Sequence, residues 1–293
     1  MPVPFDPYPA FQDFSHPEKL VSPDWLSAHL GTPGLRVVES DEDSLLYDIG
    51  HIPGAVRIDW QRDLNDPIKR DFIDGTAFAK LMSDKGISRD DTVVIYGDQN
   101  NWWAMYTMWV FTLFGHPDVR ILNGGRSGWM AEERDTSFVV PNYPPTDYPV
   151  VERDDLTHRV FVPEVAAASR SQSATIYDVR PFTYFSGEQR LTGTFSEKVA
   201  TRHGHIPNAI NDDWSKSVRV NGTLRTRKEM ETITYRLDHD TPVITYCELG
   251  QRAAGAWFVL TYMLGFENVR LYDGSWAEWG TAVGMPIEVG SDI

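Results

Sequence analysis

The sequence predicts an α/β fold made of two similar domains, each a mostly parallel sheet flanked by helices. Short β-branched segments alternate with longer segments of helical periodicity, a pattern typical of a parallel sheet covered on both faces. The same order of segments occurs twice along the 293 residues, and the turn Gly-His-Ile-Pro occurs in each copy, at residues 50–53 and 204–207. Two copies of one domain are the simplest interpretation.

The first copy follows an N-terminal arm, residues 1–20, that we expect to be irregular because it is rich in proline and lacks periodicity. Ser22 and Pro23 are typical of a helix start, and we expect that helix to end near Leu30. The elements expected next are a strand at 35–39, a turn and strand at 50–58, a helix at 75–85, a strand at 92–96, a helix at 102–114 and a strand at 119–122.

The second copy repeats this order. Residues 162–164 resemble the helix start at 22–24, and residues 175–179 repeat the first strand, which puts Asp178 opposite Glu39. Periodicity is lost over residues 140–157, which are rich in Pro, Tyr and Asp, and we expect a linker there. The predicted domains are therefore 21–139 and 158–293.

Composition excludes some classes of partner. A formal net charge of −15 argues against nucleic acid or an anionic membrane surface, since both need a basic footprint. No apolar run approaches the ~20 residues that cross a bilayer. Residues 1–20 lack the basic and apolar regions of a secretory signal, and a single cysteine cannot form an intramolecular disulfide, so we expect a cytoplasmic protein.

The only cysteine, Cys247, directly follows the β-branched segment 243–246 and begins a six-residue loop that ends at Arg252. We expect a helix from Ala253 to Leu264. If Gly250 allows a tight bend, the loop amides point inward and the helix N-terminus adds positive charge, which stabilises a thiolate. Cys247 is the predicted nucleophile; the alternative is a small structural core residue.

The repeat is asymmetric at this position. Residues 94–97 correspond to residues 244–247, and the first copy has Gly97 where the second has Cys247. A glycine cannot perform covalent chemistry through a side chain. We therefore expect one active domain and one silent domain.

Several motifs together identify a family. They are Asp178-Val179-Arg180, the two Gly-His-Ile-Pro turns, Cys247-x-x-Gly250-x-Arg252, and Asp273-Gly274-Ser275-Trp276. In this duplicated frame they resemble a tandem-domain rhodanese, that is, a thiosulfate or 3-mercaptopyruvate sulfurtransferase. The resemblance covers nearly all of the chain after the N-terminal arm.

The resemblance implies a two-step exchange in which Cys247 takes the outer sulfur of a small donor as a persulfide and passes it to cyanide or a thiol. A protein sulfur acceptor is a further class of partner. The loop amides would cradle the extra sulfur; the loop residues are Glu248, Leu249, Gly250, Gln251 and Arg252. We expect no cofactor and no metal, because the sequence has neither metal-ligand spacing nor a glycine-rich phosphate loop.

Arg180 is the cation with two open roles. It could hold an anionic donor, or it could pair with Asp178 or Glu248 and fix the loop. Further substrate-side residues are expected at Tyr184, Arg190 and Trp276. Structural support is expected from Asp178, His205 and Asp273. For His205 the reason is that the silent copy has an equivalent histidine, His51.

Two alternatives remain open at this point. A phosphatase or arsenate reductase of the same fold would carry its arginine six residues after the cysteine, whereas Arg252 comes five residues after Cys247. A sulfur-relay or binding module is favoured by Glu248, whose charge we expect to repel a dianionic donor, and by Tyr184, where some family members have arginine.

Overall fold

A computed structural model describes residues 3–189 and 200–290. The chain forms two compact units, Met1–Asp154 with Arg219–Leu224, and Asp155–Val218 with Arg225–Ile293. The domain boundaries expected at residues 139 and 158 stay predictions. No helix in the described ranges is long and apolar enough to cross a membrane.

The first unit is built on a five-stranded sheet of order β1-β5-β4-β2-β3, with every pair of neighbours parallel. Its strands are β1 Leu20–Val21, β2 Leu35–Glu39, β3 Val56–Arg57, β4 Thr92–Tyr96 and β5 Val119–Leu122. Its helices are α1 Pro23–His29, α2 Trp60–Asp63, α3 Gly75–Asp84, α4 Trp102–Leu113 and α5 Gly125–Ala131.

The second unit repeats this arrangement with a four-stranded parallel sheet of order β7-β6-β8-β9. Its strands are β6 Thr175–Asp178, β7 Ile210–Asn211, β8 Val243–Tyr246 and β9 Val269–Leu271. Its helices are α6 Val162–Ser171, α7 Phe182–Phe185, α8 Arg227–Ile233, α9 Gln251–Phe258 and α10 Ser275–Trp279. Two mostly parallel α/β domains, as the sequence predicts, are therefore confirmed.

The strand registers show how closely the copies correspond. Glu39 pairs with Tyr96 in the first sheet, and Asp178 pairs with Tyr246 in the second. The expected correspondence of Asp178 with Glu39 therefore holds at the level of single residues. Because the strands are parallel, the residue after Tyr246, Cys247, lies at the carboxyl edge of its sheet, where open α/β sheets bind ligands.

Local signals explain several of the element boundaries. The Ser22 hydroxyl accepts the N–H of Trp25 at 3.2 Å, so the predicted cap of α1 is present. The arm is less irregular than expected, because Pro9–Phe11 and Pro17–Lys19 form 3-10 turns and Leu20 already belongs to β1. Two residues of strand are too few to show a period in the sequence.

The start of the helix after Cys247 differs from the prediction. It begins at Gln251 rather than Ala253, and it continues as a π-helix at Val259–Leu264. Gly250 has φ 101°, a left-handed conformation that ends the loop and lets the next residue enter the helix. Arg252 therefore lies in the first turn of α9.

Candidate active site

Cys247 lies between the end of β8 and the start of α9 and is fully buried. Its Sγ accepts the backbone N–H of Gly250 at 3.1 Å and lies 3.6 Å from Oε1 of Gln251. The thiol is thus at the N-terminal end of a helix with an amide donor directed at it. This is a setting that stabilises negative charge on sulfur.

The bend at Gly250 is enforced by the neighbouring chain. A Cβ added at Gly250 would lie 3.1 Å from the carbonyl oxygen of Asp273, in addition to the strain of a side chain at φ 101°. The Asp273 carboxylate is itself held by Arg159, whose Nε and Nη2 donate to its two oxygens at 2.9 and 3.3 Å. Arg159 and Asp273 are both almost fully buried, so they support the wall against which the loop bends.

The backbone of Cys247 is fixed by the start of α10. Its N–H donates to Oγ of Ser275 at 3.2 Å, and its carbonyl oxygen accepts the N–H of Trp276 at 3.0 Å. The next carbonyl, that of Glu248, accepts the N–H of Ala277 at 3.0 Å. These three bonds set the direction in which the thiol leaves the strand.

Arg180 is used within the protein. Its Nη2 donates to Oδ2 of Asp178 at 2.6 Å and to the carbonyl oxygen of Gly204 at 2.8 Å, and its Nη1 donates to Oε2 of Glu248 at 3.3 Å. It is 1% exposed, and its guanidinium carbon lies 4.8 Å from the Trp276 ring centroid. Of its two open roles, this geometry favours fixing the loop over holding a donor.

Glu248 also departs from the expectation placed on it. Its side chain is 1% exposed, and burial raises its pKa, an effect that Arg180 opposes. Within the described ranges its Oε1 is buried without a hydrogen-bond partner. A buried carboxyl that pairs with arginine presents little repulsion to an approaching donor, so the expected repulsion is not supported by its position.

Two of the other predicted substrate-side residues, Trp276 and Tyr184, lie in described helices of the second unit. Trp276 is buried, its Nε1–H donates to the carbonyl oxygen of Arg202 at 3.1 Å, and its backbone N–H donates to the carbonyl oxygen of Cys247 at 3.0 Å. Tyr184 is half-buried in α7, which follows the end of β6. Arg190 lies outside the described residues.

His205 and His51 make matching contacts in the two units. His205 stacks on Phe185 with ring centroids 3.6 Å apart, and His51 stacks on Tyr47 at 3.9 Å. In each case the imidazole Nδ1 also lies within 3.0 Å of the carbonyl oxygen of the ring residue beneath it. Because the first unit, which has Gly97 in place of Cys247, shows the same arrangement, these contacts support the structural role expected of His205.

The first unit has Gly97 at the position of Cys247. A Cβ at Gly97 would meet the carbonyl oxygen of Ser40 far inside contact distance. The counterpart of Arg180 in this unit is Arg126, which lies at the position equivalent to Trp276. Its Nη1 donates to Oε1 of Glu39 at 3.0 Å. The two copies therefore keep a buried carboxylate–arginine pair but supply the arginine from different elements.

Three contacts were missed at the sequence level: the carboxamide of Gln251 at the sulfur, the Ser275 hydroxyl at the Cys247 amide, and Arg159 on Asp273. The repeat itself could have indicated the first two, because Gln251 aligns with Asn101 and Ser275 with Gly125. Across residues 3–189 and 200–290, no group of three or more His, Cys, Asp or Glu side chains could hold a metal ion.

Comparison with known proteins defines the class. The Rhodanese-like domain model matches residues 22–132 and 162–282, so the chain belongs to the rhodanese family and carries its domain twice. The chain is 61% identical to the thiosulfate sulfurtransferase of Corynebacterium glutamicum over all of its length and 97% of that protein. It is 46% identical to the sulfur carrier protein TtuD of Thermus thermophilus, over 95% of this chain and 99% of that one.

A solved structure agrees with these relatives. SseA from Escherichia coli, described as a 3-mercaptopyruvate sulfotransferase, matches with a TM-score of 0.76 and 29% identity. The match covers 88% of this chain and 98% of SseA. The family resemblance seen in the sequence motifs is therefore confirmed over both domains.

Proposed function

We propose that this chain is a sulfurtransferase in which Cys247 carries the transferred sulfur as a persulfide. The observation that carries the proposal is the position of the thiol, whose Sγ accepts the Gly250 N–H at 3.1 Å at the N-terminus of α9. That position favours an anionic, nucleophilic sulfur. Identity of 61% with a thiosulfate sulfurtransferase over the whole chain supports the same reaction class.

The chemistry has two balanced steps. The Cys247 thiolate attacks the outer sulfur of the donor and forms a sulfur–sulfur bond. The bond between that sulfur and the rest of the donor breaks, and sulfite leaves thiosulfate with the electron pair, or pyruvate leaves 3-mercaptopyruvate as an enolate that takes up a proton. Cyanide or a thiolate then attacks the outer persulfide sulfur and returns Cys247 as a thiolate, so the kinetics should be ping-pong.

The outer sulfur would lie against the first amides of α9. The first N–H groups of any helix have no acceptor within the helix, and those of α9 begin at Gln251, next to the sulfur. Arg180 and Glu248 fix the loop rather than contact the donor, because they pair with each other inside the domain. The backbone amides and the helix end are thus the proposed source of stabilisation for the persulfide anion.

The experiment is intact-protein mass spectrometry before and after addition of thiosulfate or 3-mercaptopyruvate. A gain of about 32 mass units, one sulfur atom, that is lost on adding cyanide and absent in Cys247→Ser supports the proposal. The donor that produces the gain is the substrate. An unchanged mass with both donors, in a protein that is folded, contradicts a small-donor enzyme.

A second candidate, a sulfur-relay role, is favoured by one observation. The Thermus thermophilus relative, 46% identical, is named a sulfur carrier protein. In a relay, Cys247 would load readily but discharge slowly to cyanide and small thiols, because the physiological acceptor is a protein thiol. The mass measurement separates the roles when discharge is followed in time with each acceptor.

A cytoplasmic location is proposed with this function. A single thiol that must stay reduced between turnovers suits a reducing compartment. Cell fractionation with an antibody to the chain tests it, and recovery outside the cytoplasm contradicts it.

A further inference from the structure

The two copies hold the amide at the nucleophile position by different side chains. In the first unit the N–H of Gly97 donates to Oδ1 of Asn101 at 2.9 Å. Nδ2 of Asn101 donates in turn to the carbonyl oxygen of Leu122, at the end of β5, at 2.7 Å. The Asn101 carboxamide therefore joins the ends of two neighbouring strands, and both of its polar atoms are used.

In the second unit one hydroxyl makes both of these bonds. Oγ of Ser275 accepts the N–H of Cys247 at 3.2 Å and donates to the carbonyl oxygen of Tyr272 at 2.8 Å. Cys247 and Tyr272 occupy the positions of Gly97 and Leu122 in the repeat. Ser275 is fully buried and has φ 52°, which is unusual for a residue other than glycine, so its hydroxyl is held in place by the fold.

The two arrangements exclude each other. The residue equivalent to Ser275 is Gly125, with φ 57°, where an added Cβ would lie 2.6 Å from the carbonyl oxygen of Gly97 and even closer to Oδ1 of Asn101. Asparagine at 101 therefore requires glycine at 125. A serine at this point takes over the bonds and leaves no need for asparagine.

The residue equivalent to Asn101 in the second unit is Gln251, which is one methylene longer. Its side chain is buried, and its Oε1 lies 3.6 Å from Sγ of Cys247 instead of at the Cys247 amide. Exchange of the pair Asn101 and Gly125 for the pair Gln251 and Ser275 thus moves a carboxamide from the backbone to the reacting atom.

We propose that Gln251 is a catalytic residue whose carboxamide contacts the reacting sulfur. Ser275 is a positioning residue: because its hydroxyl makes the two backbone hydrogen bonds, the Gln251 carboxamide can contact the sulfur instead. The inference rests on the proposed role of Cys247. A carboxamide offers an oxygen to the thiol S–H and, after rotation of its last torsion, an N–H to a thiolate or persulfide anion. One neutral side chain can therefore hydrogen-bond to the thiol, the thiolate and the persulfide without adding charge.

The first test replaces Gln251 by its isosteric acid. Gln251→Glu puts a carboxylate beside the sulfur, while a negative charge in the first turn of α9 favours the helix, so the domain should stay folded. We expect the pH midpoint of the thiolate ultraviolet absorbance, measured as a difference against Cys247→Ser, to rise by at least about one unit. A midpoint equal to that of the wild type overturns the contact.

The first unit offers a matched control. Asn101→Asp makes the same change of amide to acid at the equivalent position and removes the Nδ2 bond to Leu122. We expect it to lower the melting temperature and to leave the Cys247 midpoint unchanged. A midpoint shift as large as that of Gln251→Glu would mean that the effect is general, and it would overturn the proposal.

The second test rebuilds the silent arrangement in the active domain. Ser275→Gly alone should lower the melting temperature, and adding Gln251→Asn should restore most of it, because asparagine can make both bonds. Discharge of the loaded sulfur to cyanide should nevertheless remain at least about fivefold slower than in the wild type, the loss of one hydrogen bond. Discharge at the wild-type rate in the double variant overturns the proposal.

The two tests also separate this inference from the proposed function. The absorbance titration needs no sulfur donor. If the wild type gains no sulfur, the proposed function fails, while the midpoint of Gln251→Glu still reports whether the carboxamide contacts the thiol.

Discussion

Arg180 donates to Asp178 at 2.6 Å and to Glu248 at 3.3 Å while its guanidinium carbon lies 4.8 Å from the centre of the Trp276 ring. One buried cation therefore joins the end of β6 to the first residue after Cys247 and to the first turn of α10. Because Arg180, Asp178 and Glu248 are almost fully buried, removing the arginine leaves the two carboxyl groups without their cation.

Replacing Arg180 should show whether it is a structural or a substrate cation. Arg180→Ala leaves two buried carboxyl groups without their partner, and we expect a loss of about 3–5 kcal/mol in the free energy of unfolding of this domain. Arg180→Lys should recover part of it, since lysine keeps the charge but not the paired donors. Urea unfolding measures the effect. A variant of wild-type stability with only a raised KM for the donor would assign Arg180 to substrate binding instead.

The stability of the Glu248→Gln variant relative to the wild type should increase as pH rises. Burial raises the pKa of Glu248 above its ordinary 4.5, so the native state binds this proton more tightly than the unfolded state does. Its contribution is then present below pH 4.5 and is lost as pH rises through the raised value. The glutamine keeps an oxygen for Arg180 but does not ionise. The difference in unfolding free energy, variant minus wild type, should therefore increase from pH 4 to pH 7; a constant difference would contradict this.

The raised pKa of Asp41 predicts that the stability of the first unit depends on pH. Burial, then a hydrogen bond and charge from Glu39, raise its pKa from 3.8 to about 9. The groups that face it are Glu39, Asp98, Tyr96 and Arg126.

Stability from protonated Asp41 is therefore complete below pH 3.8 and is lost as pH rises through about 9. Relative to Asp41→Asn, which cannot ionise, the wild type should lose at most about 1.4 kcal/mol of unfolding free energy per pH unit in that window. Thermal unfolding from pH 5 to pH 8 measures the slope. Parallel curves for the two proteins would show that Asp41 does not titrate as expected.

A single cysteine substitution should not give the first unit the ability to carry sulfur. At Gly97 a side chain would meet the backbone of Ser40, which cannot move aside as a flexible side chain can. We expect Gly97→Cys to destabilise the first unit by about 1–3 kcal/mol. In a Cys247→Ser background it should gain no sulfur from either donor. A mass gain of about 32 units in that double variant would show that the site is more adaptable than its geometry indicates.

Much of the fold could be predicted because the same order of strand and helix segments occurs twice in the sequence. The strands at 35–39, 92–96 and 119–122 have the predicted bounds, since each is a short β-branched segment between turn residues. The start of α9 was predicted two residues late, because Ala253 continues a helix that Gly250 had already allowed to begin. The two-residue strands β1 and β7 depend on pairing with neighbours, which a local pattern does not encode.

The sequence alone determined the family, the duplication and the single cysteine as the candidate nucleophile, because each of these is a matter of which residue types occur in which order. The tertiary structure decided which side chains meet. Arg180 faces Asp178 and Glu248 inside the domain, and Gln251 faces the sulfur. Ser275, 28 residues after Cys247 in the chain, makes the backbone bonds that Asn101 makes in the first unit. Such exchanges depend on distances between segments that are remote in sequence, and only the packed fold specifies those distances.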